Sequence, residues 1–164
     1  MNKATDIIRR CASPRVIFWL TIAVLAIPNV ALCFTERMGI MAGVTNIILP
    51  GAVIWLLMTL GRRPGKTALM MLPLMFLAAF QIVLLYLFGH SIIAVDMFLN
   101  LVTSNVGEAM ELLDNLMPAI VIVLVIYLPV IALSIISIRT RATLTADFMR
   151  QQRRCAIVAV VAGA

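Results

Sequence analysis

Charged residues are scarce in this chain of 164 residues, and histidine, tryptophan and cysteine are rarer still. Asp, Glu, Lys and Arg together make up 12% of the sequence, whereas soluble domains carry roughly a quarter. Hydrophobic residues make up 63%, and the mean hydropathy is +1.11. This balance excludes a water-soluble globular domain and predicts an integral membrane protein.

Other shortages exclude particular kinds of site. The three cysteines have no paired spacing, so we expect neither a disulfide framework nor a zinc ribbon. The single histidine, His90, has no second imidazole with which to share a metal. The net charge of +6 comes from short basic clusters between apolar runs, and these lack the interleaved aromatic residues of a nucleic-acid-binding face. We therefore predict no metal site and no nucleic-acid partner for this chain.

Four uncharged apolar runs are long enough to cross a hydrocarbon layer of ~30 Å as helices. They cover residues 16–34, 44–60, 68–88 and 116–138. A fifth run, residues 155–164, reaches only ~15 Å as a helix, and a chain seldom ends within hydrocarbon. We therefore expect an all-α polytopic membrane helix bundle, with four full transmembrane helices and a truncated fifth. Residues 1–164 would form one N-terminal transmembrane domain of a longer protein.

The four full runs contain no Asp, Glu, Lys, Arg or His. Ion-coupled transport generally requires an ionisable group within the membrane. The sequence therefore argues against a small transporter.

The distribution of Lys and Arg predicts the orientation in the membrane. All thirteen except Arg37 lie in the N-terminal segment, the loop 61–67 or the segment 139–154. Because cations near span ends are retained in the cytoplasm, we predict a cytoplasmic N-terminus, an outer loop 89–115 and a fifth helix that exits outward. The alternative is that the first run is a cleaved secretory signal. Its length, and Leu32 before Cys33, favour a retained helix.

Residues 89–115 form the longest connection, and long connections are often functional. Their apolar residues recur at helical spacing, which predicts an amphipathic helical segment lying on the outer membrane surface. Asp96, Asn100, Ser104 and Glu108 follow one another at intervals of four residues and so lie along one side of such a helix. Glu108 suits an ammonium, and Asn100 and Ser104 suit phosphate oxygens. The pattern predicts a site for a phospholipid headgroup.

A purely structural interpretation explains part of the same pattern. Asn105 and Glu108 have the spacing of a helix-capping box, and Gly107 weakens a helix. The segment would then be two short helices with a polar joint that binds nothing.

The stretch DMFLNLVTSNVGEAMELL, residues 96–113, together with the five spans, resembles the membrane domain of the phosphoethanolamine transferases that modify lipid A and the lipopolysaccharide core. In that family the segment reads approximately as Asn, three residues, Thr-Asn, two residues, Glu-Ala, then Glu-Leu. Ser104 stands where the family usually has Thr, and Val106-Gly107 replaces a small or proline pair. The residues that match are Asn100, Ser104, Asn105, Glu108, Ala109, Glu111 and Leu112.

The resemblance implies an enzyme of the bacterial inner (cytoplasmic) membrane. Such enzymes move phosphoethanolamine from phosphatidylethanolamine to lipid A or lipopolysaccharide core. It also implies that a periplasmic, alkaline-phosphatase-like domain beyond residue 164 holds the Thr nucleophile and the zinc. This chain would then hold no catalytic residue and no cofactor, and would be inactive alone.

Within this chain, the resemblance implies that Asn100, Ser104 and Glu108 engage the lipid substrate. The alternative function is a non-enzymatic membrane scaffold or assembly protein whose periplasmic loop docks a partner.

Overall fold

The computed structural model describes residues 13–36, 39–88 and 106–163, without the side chains of residues 87–88 and 106–115. Within these ranges, three helical segments are long and apolar enough to cross a membrane: Pro14–Thr35, Ile40–Met58 and Leu116–Arg139. The bent pair Pro64–Met70 and Leu72–Tyr86 supplies a fourth span if its two helices are counted together. The chain is therefore an all-α, multi-pass membrane protein, as predicted. The described residues form six helices: α1 (Pro14–Thr35), α2 (Ile40–Met58), α3 (Pro64–Met70), α4 (Leu72–Phe88), α5 (Val106–Arg139) and α6 (Ala146–Gly163).

The first helix begins and ends where its local sequence dictates. The Val16 N–H donates to the Ser13 side chain at 3.4 Å, and Pro14 occupies the first turn, where its missing N–H has no cost. At the other end the Glu36 N–H donates to the Leu32 carbonyl at 2.9 Å. The predicted span 16–34 is confirmed by α1.

The predicted third span, residues 68–88, differs most from the structure. It is two helices, α3 and α4, whose axes are bent by 59° at Met71. Pro73 has no N–H to donate to the Leu69 carbonyl. Two residues earlier, the Met71 N–H donates to the carbonyls of both Thr67 and Ala68 at 3.1 Å. The hydrogen bond to Ala68, only three residues back, is typical of a 3₁₀ turn. The predicted loop 61–67 is also shorter, because α3 already begins at Pro64.

The other predicted boundaries differ at the helix ends. The second span, predicted as 44–60, is Ile40–Met58. The helix of the fourth predicted span, α5, begins at Val106, ten residues before the predicted 116. Residues 106–115 are therefore part of α5 and do not form a separate segment. Apolarity located the spans, but polar residues with good helix propensity extend a helix beyond them.

The truncated fifth span, predicted as residues 155–164, belongs to a longer helix. This helix, α6, begins at Ala146, and its first half carries Asp147 and three arginines. Among the described helices it does not qualify as a candidate span.

The core lies where α1 meets α2, α3, α4 and α5. Phe18, Leu25, Met58 and Val130 are almost fully buried there. Thr21 is also buried, and its hydroxyl donates to the Ile17 carbonyl at 2.8 Å, which satisfies the polar group without a partner from another helix. Helix α1 is therefore the centre of the bundle.

Helix α6 runs antiparallel to α2. The Trp55 indole near the end of α2 contacts Gln152 near the start of α6, and Gly163 lies against Ile48 and Leu49. The last turn of α6 is thus level with the middle of α2.

Candidate functional site

Two regions of the chain are candidates for a site: the predicted headgroup site of the loop and the basic end of the helix bundle. In the first, Asn100 and Ser104 lie outside the described residues, and the structure describes the backbone but not the side chain of Glu108. Glu108 is the third residue of α5, about 12 Å along the helix from Leu116, where the span begins. The headgroup site stays a prediction.

The position of Glu108 also agrees with the capping interpretation. A capping box places its Glu at the third helical position, and α5 begins at Val106. The other member, Asn105, lies outside the described residues. Both interpretations therefore remain open at this helix end.

The basic end is the end of the bundle where α1, α3 and α6 begin and where α2 and α5 finish. A hydrogen bond of 2.8 Å from the Leu144 N–H to the Arg62 carbonyl joins the connection α5–α6 to the connection α2–α3. Asp147 is the only described carboxylate here. The basic end carries every described Lys and Arg: Arg15, Arg62, Arg63, Lys66, Arg139, Arg141, Arg150, Arg153 and Arg154.

Polar contacts attach α6 to the last turn of α2. The Arg153 guanidinium donates to the Thr59 carbonyl at 2.8 Å, and the Trp55 indole N–H donates to the Gln152 side-chain oxygen at 3.2 Å. The last carbonyls of a helix have no intrahelical partner and carry its negative dipole end. Arg153 satisfies one of these carbonyls with a positive charge, which stabilises the C-terminal end of α2 and attaches α6 to it.

An aromatic cluster joins the same two helices to α1. Phe18 makes edge-to-face contacts with Trp19 and Phe148, at ring-centroid distances of 5.3 and 5.6 Å. Trp19 and Trp55 are 5.4 Å apart. The Arg15 guanidinium carbon lies 5.5 Å from the centroid of the Phe148 ring, within the range of a cation–π contact. The cluster therefore holds the first turn of α6 against the bundle.

Two adjoining cavities open beside the connection α2–α3. The cationic cavity, of about 420 Å³, is lined by Gly61, Arg62, Arg63, Lys66, Thr67 and Met70. The apolar groove, of about 490 Å³, is lined by Leu57, Leu60, Gly61, Thr67, Met70, Met71, Pro73 and Leu74. Because Gly61, Thr67 and Met70 line both, the two cavities lie side by side.

Sequence reasoning missed this pair of cavities. The cluster Arg62, Arg63 and Lys66 was visible as a basic turn and served to predict orientation. The groove beside it depends on the bend at Met71, and hydropathy does not report a bend. Pro73, near the start of an apolar run, was the one local indication.

The described residues contain no group of three or more His, Cys, Asp and Glu side chains that could hold a metal. Cys33 and Cys155 are free thiols, and the Cys33 sulfur contacts the Gly43 carbonyl at 3.5 Å. Cys33 packs between α1 and α2, whereas Cys155 is exposed on α6, and neither belongs to a set of ligands that would fit a zinc site.

No protein-family description, curated protein or solved structure matches this chain.

Proposed function

We propose that this chain is the membrane domain of a phosphoethanolamine transferase. It anchors the enzyme in the bacterial inner membrane and presents the headgroup of phosphatidylethanolamine to a catalytic domain on the outer side. The loop sequence around Asn100, Ser104 and Glu108 is the basis of the proposal. The supporting structural observation is that α5 runs without interruption from Val106 to Arg139. Glu108 therefore lies near the start of a helix that finishes at the basic end, so its backbone is at the opposite end of α5 from the basic end.

The chemistry of the loop suits a zwitterionic headgroup. The Glu108 carboxylate would accept hydrogen bonds from the ammonium, and the amide of Asn100 and hydroxyl of Ser104 would donate to phosphate oxygens. The N-terminus of α5 adds unpaired N–H groups and a positive dipole end, which favour an anion nearby. Binding would fix the lipid at headgroup depth with its phosphate accessible from the outer side.

The proposed orientation places the basic end in the cytoplasm. Helix α6 then runs towards the outer side, antiparallel to α2. Zinc and the Thr nucleophile belong in this proposal to the catalytic domain, and no residue of this chain is assigned to either.

The experiment uses the full-length protein encoded by the gene, expressed in a bacterium whose lipid A lacks phosphoethanolamine. We expect lipid A to gain phosphoethanolamine, measured by mass spectrometry. Glu108→Ala should abolish the transfer while a fluorescent C-terminal fusion shows unchanged insertion. Asp114→Ala, in the same helix but outside the matched residues, is the control and should transfer normally.

Other outcomes would contradict the proposal. If Glu108 only caps the helix, Glu108→Ala should lower the free energy of unfolding by about 1 kcal/mol or less. The turnover per folded molecule should then be nearly unchanged. Absence of any transfer by the full-length protein would favour a scaffold. Transfer by the 164-residue chain alone would show that the catalytic residues were misassigned.

A further inference from the structure

We infer that the basic end holds an anionic phospholipid, with its phosphate in the cationic cavity and an acyl chain in the apolar groove. The inference concerns the end of the bundle opposite to the predicted headgroup site and does not depend on the proposed function. It rests on the charge of one cavity, the apolar lining of the other and the three residues that they share.

The cationic cavity is suited to a phosphate that carries net negative charge. Arg62, Arg63 and Lys66 are exposed and line one cavity, and none of its described lining residues is a carboxylate. Arg guanidinium groups bind phosphate oxygens in a bidentate manner, and Lys adds a point charge. The cations are thus available to an external anion.

The backbone beneath these cations is fixed by the fold. Pro64 and Gly65 are buried, and the Arg62 carbonyl accepts the hydrogen bond from Leu144. The backbone is thus held on both sides of Arg63, and the three side chains extend from a fixed segment into one cavity. A ligand at this site would therefore meet a partly preorganised set of donors.

The apolar groove is suited to a hydrocarbon chain. It lies in the bend of 59° between α3 and α4 and is closed on its other side by Leu57 of α2. Leu60 and Met70 are both 68% exposed, so the groove opens on the outer surface of the bundle. Acyl chains reach that surface in a membrane, and burial of their CH₂ groups against Met and Leu is favourable.

The combination selects an anionic lipid over other ligands. A soluble phosphate compound would use the cations and leave the groove empty. A zwitterionic lipid such as phosphatidylcholine would bring a quaternary ammonium close to three cations, and like charges repel. Phosphatidylglycerol has the required single negative charge and two chains, and basic residues at the membrane surface attract such lipids.

The test measures lipid retained by the purified 164-residue chain. The protein is extracted from vesicles containing equal amounts of dioleoylphosphatidylglycerol and dioleoylphosphatidylcholine, and bound lipid is counted by native mass spectrometry. We expect about tenfold preference for phosphatidylglycerol. The variant Arg62→Gln/Arg63→Gln/Lys66→Gln should lose most of this preference for phosphatidylglycerol. The control Arg139→Gln/Arg141→Gln/Arg154→Gln removes the same charge from the same end of the bundle, outside both cavities. It should keep the preference for phosphatidylglycerol.

A second pair of variants tests the groove without changing charge. Met70→Trp fills the section that both cavities share and should reduce retention of phosphatidylglycerol about fivefold, whereas Met41→Trp, at an 82% exposed position near the start of α2, should not. If the first triple variant loses its helical circular dichroism, Lys66→Gln alone should still lower the preference about threefold.

Four results would overturn the inference. Equal retention of the two lipids would show that the basic end has no site selective for an anionic lipid. Equal losses in the two triple variants would show general surface attraction. Unchanged retention in Met70→Trp, or complete displacement of the lipid by inorganic phosphate, would show that the groove holds no chain.

Discussion

Gly65 lies where α3 packs closely against α5. A Cβ at this position would lie 2.6 Å from the Ser134 carbonyl oxygen and 2.9 Å from the Ser137 Cβ. Ser134 and Ser137 are themselves fully or almost fully buried. Small residues at helix contacts allow close packing in membranes, where no hydrophobic effect drives helices together. Sequence reasoning had assigned Gly65 to a turn, and the structure gives it a packing role.

Gly65→Ala should therefore destabilise the bundle by about 1–3 kcal/mol, because backbone atoms of α5 must move. The measurement is unfolding in detergent by added sodium dodecyl sulfate, followed by circular dichroism. Gly51→Ala is the control: a Cβ there meets nothing within 4 Å, and Ala is the better helix former. Equal stability of the two variants would show that the close approach has no energetic weight.

Arg153 differs from its neighbour Arg154 in having a partner. Arg153→Ala removes the 2.8 Å hydrogen bond to the Thr59 carbonyl and the cation at the end of α2, so we expect a loss of about 1 kcal/mol. Arg154→Ala removes the same charge from an exposed side chain and should change stability by less than about 0.5 kcal/mol. The same unfolding measurement in high salt should reduce the difference. A larger loss in Arg154→Ala would contradict the structure.

At the level of elements, the bend between α3 and α4 is the feature with the clearest local cause. Pro73 removes one backbone hydrogen bond at the point where the axis changes direction by 59°. The prolines within the other helices, Pro28, Pro50, Pro118 and Pro129, leave those helices continuous. A proline therefore permits a bend, and packing decides whether one forms.

Pro73→Ala restores an N–H that the Leu69 carbonyl can accept, so α3 and α4 should straighten. Spin labels are attached at Lys66→Cys and Tyr86→Cys in a chain without its natural cysteines. The distance between them, measured by double electron–electron resonance, should be several ångströms longer in the Pro73→Ala variant than in the chain that keeps Pro73. Pro50→Ala in the same labelled chain should leave the distance unchanged. No change in the Pro73 variant would assign the bend to packing alone.

At the level of the whole molecule, charge is segregated between the two ends of the bundle. All nine described Lys and Arg residues lie at the basic end, and α5 carries Glu108 and Glu111 in its first two turns at the other. Such segregation orients a multi-pass protein with its cations in the cytoplasm. The orientation remains a prediction, and it can be tested without knowledge of the function.

The accessibility of introduced cysteines in intact cells tests the predicted orientation in the membrane. In a chain without natural cysteines, Gly39→Cys at the start of α2 should react with a membrane-impermeant maleimide. A Cβ at Gly39 meets nothing within 4 Å. Arg63→Cys at the basic end should react only after the inner membrane is permeabilised. The reverse pattern would place the loop 89–115 in the cytoplasm and exclude the proposed function.

Most of the spans could be predicted from the sequence, because the cost of placing charges in hydrocarbon depends on each segment's own composition. Residues 16–34 became α1 almost unchanged. The same reasoning placed the beginnings of α5 and α6 too late, since polar residues such as Glu108 and Arg150 continue a helix as readily as apolar ones. The site residues Asn100 and Ser104 came from their helical spacing and from a sequence resemblance, and they remain a prediction.

The sequence by itself thus determined the environment, the helical class and the segregation of charge, all of which are set by local composition. The tertiary structure decided the contact of Gly65 with Ser134, the docking of α6 along α2 and the position of a cationic cavity beside an apolar groove. These features depend on which helix faces meet. The meeting of faces is a property of packing between segments distant in the chain, and no single segment encodes it.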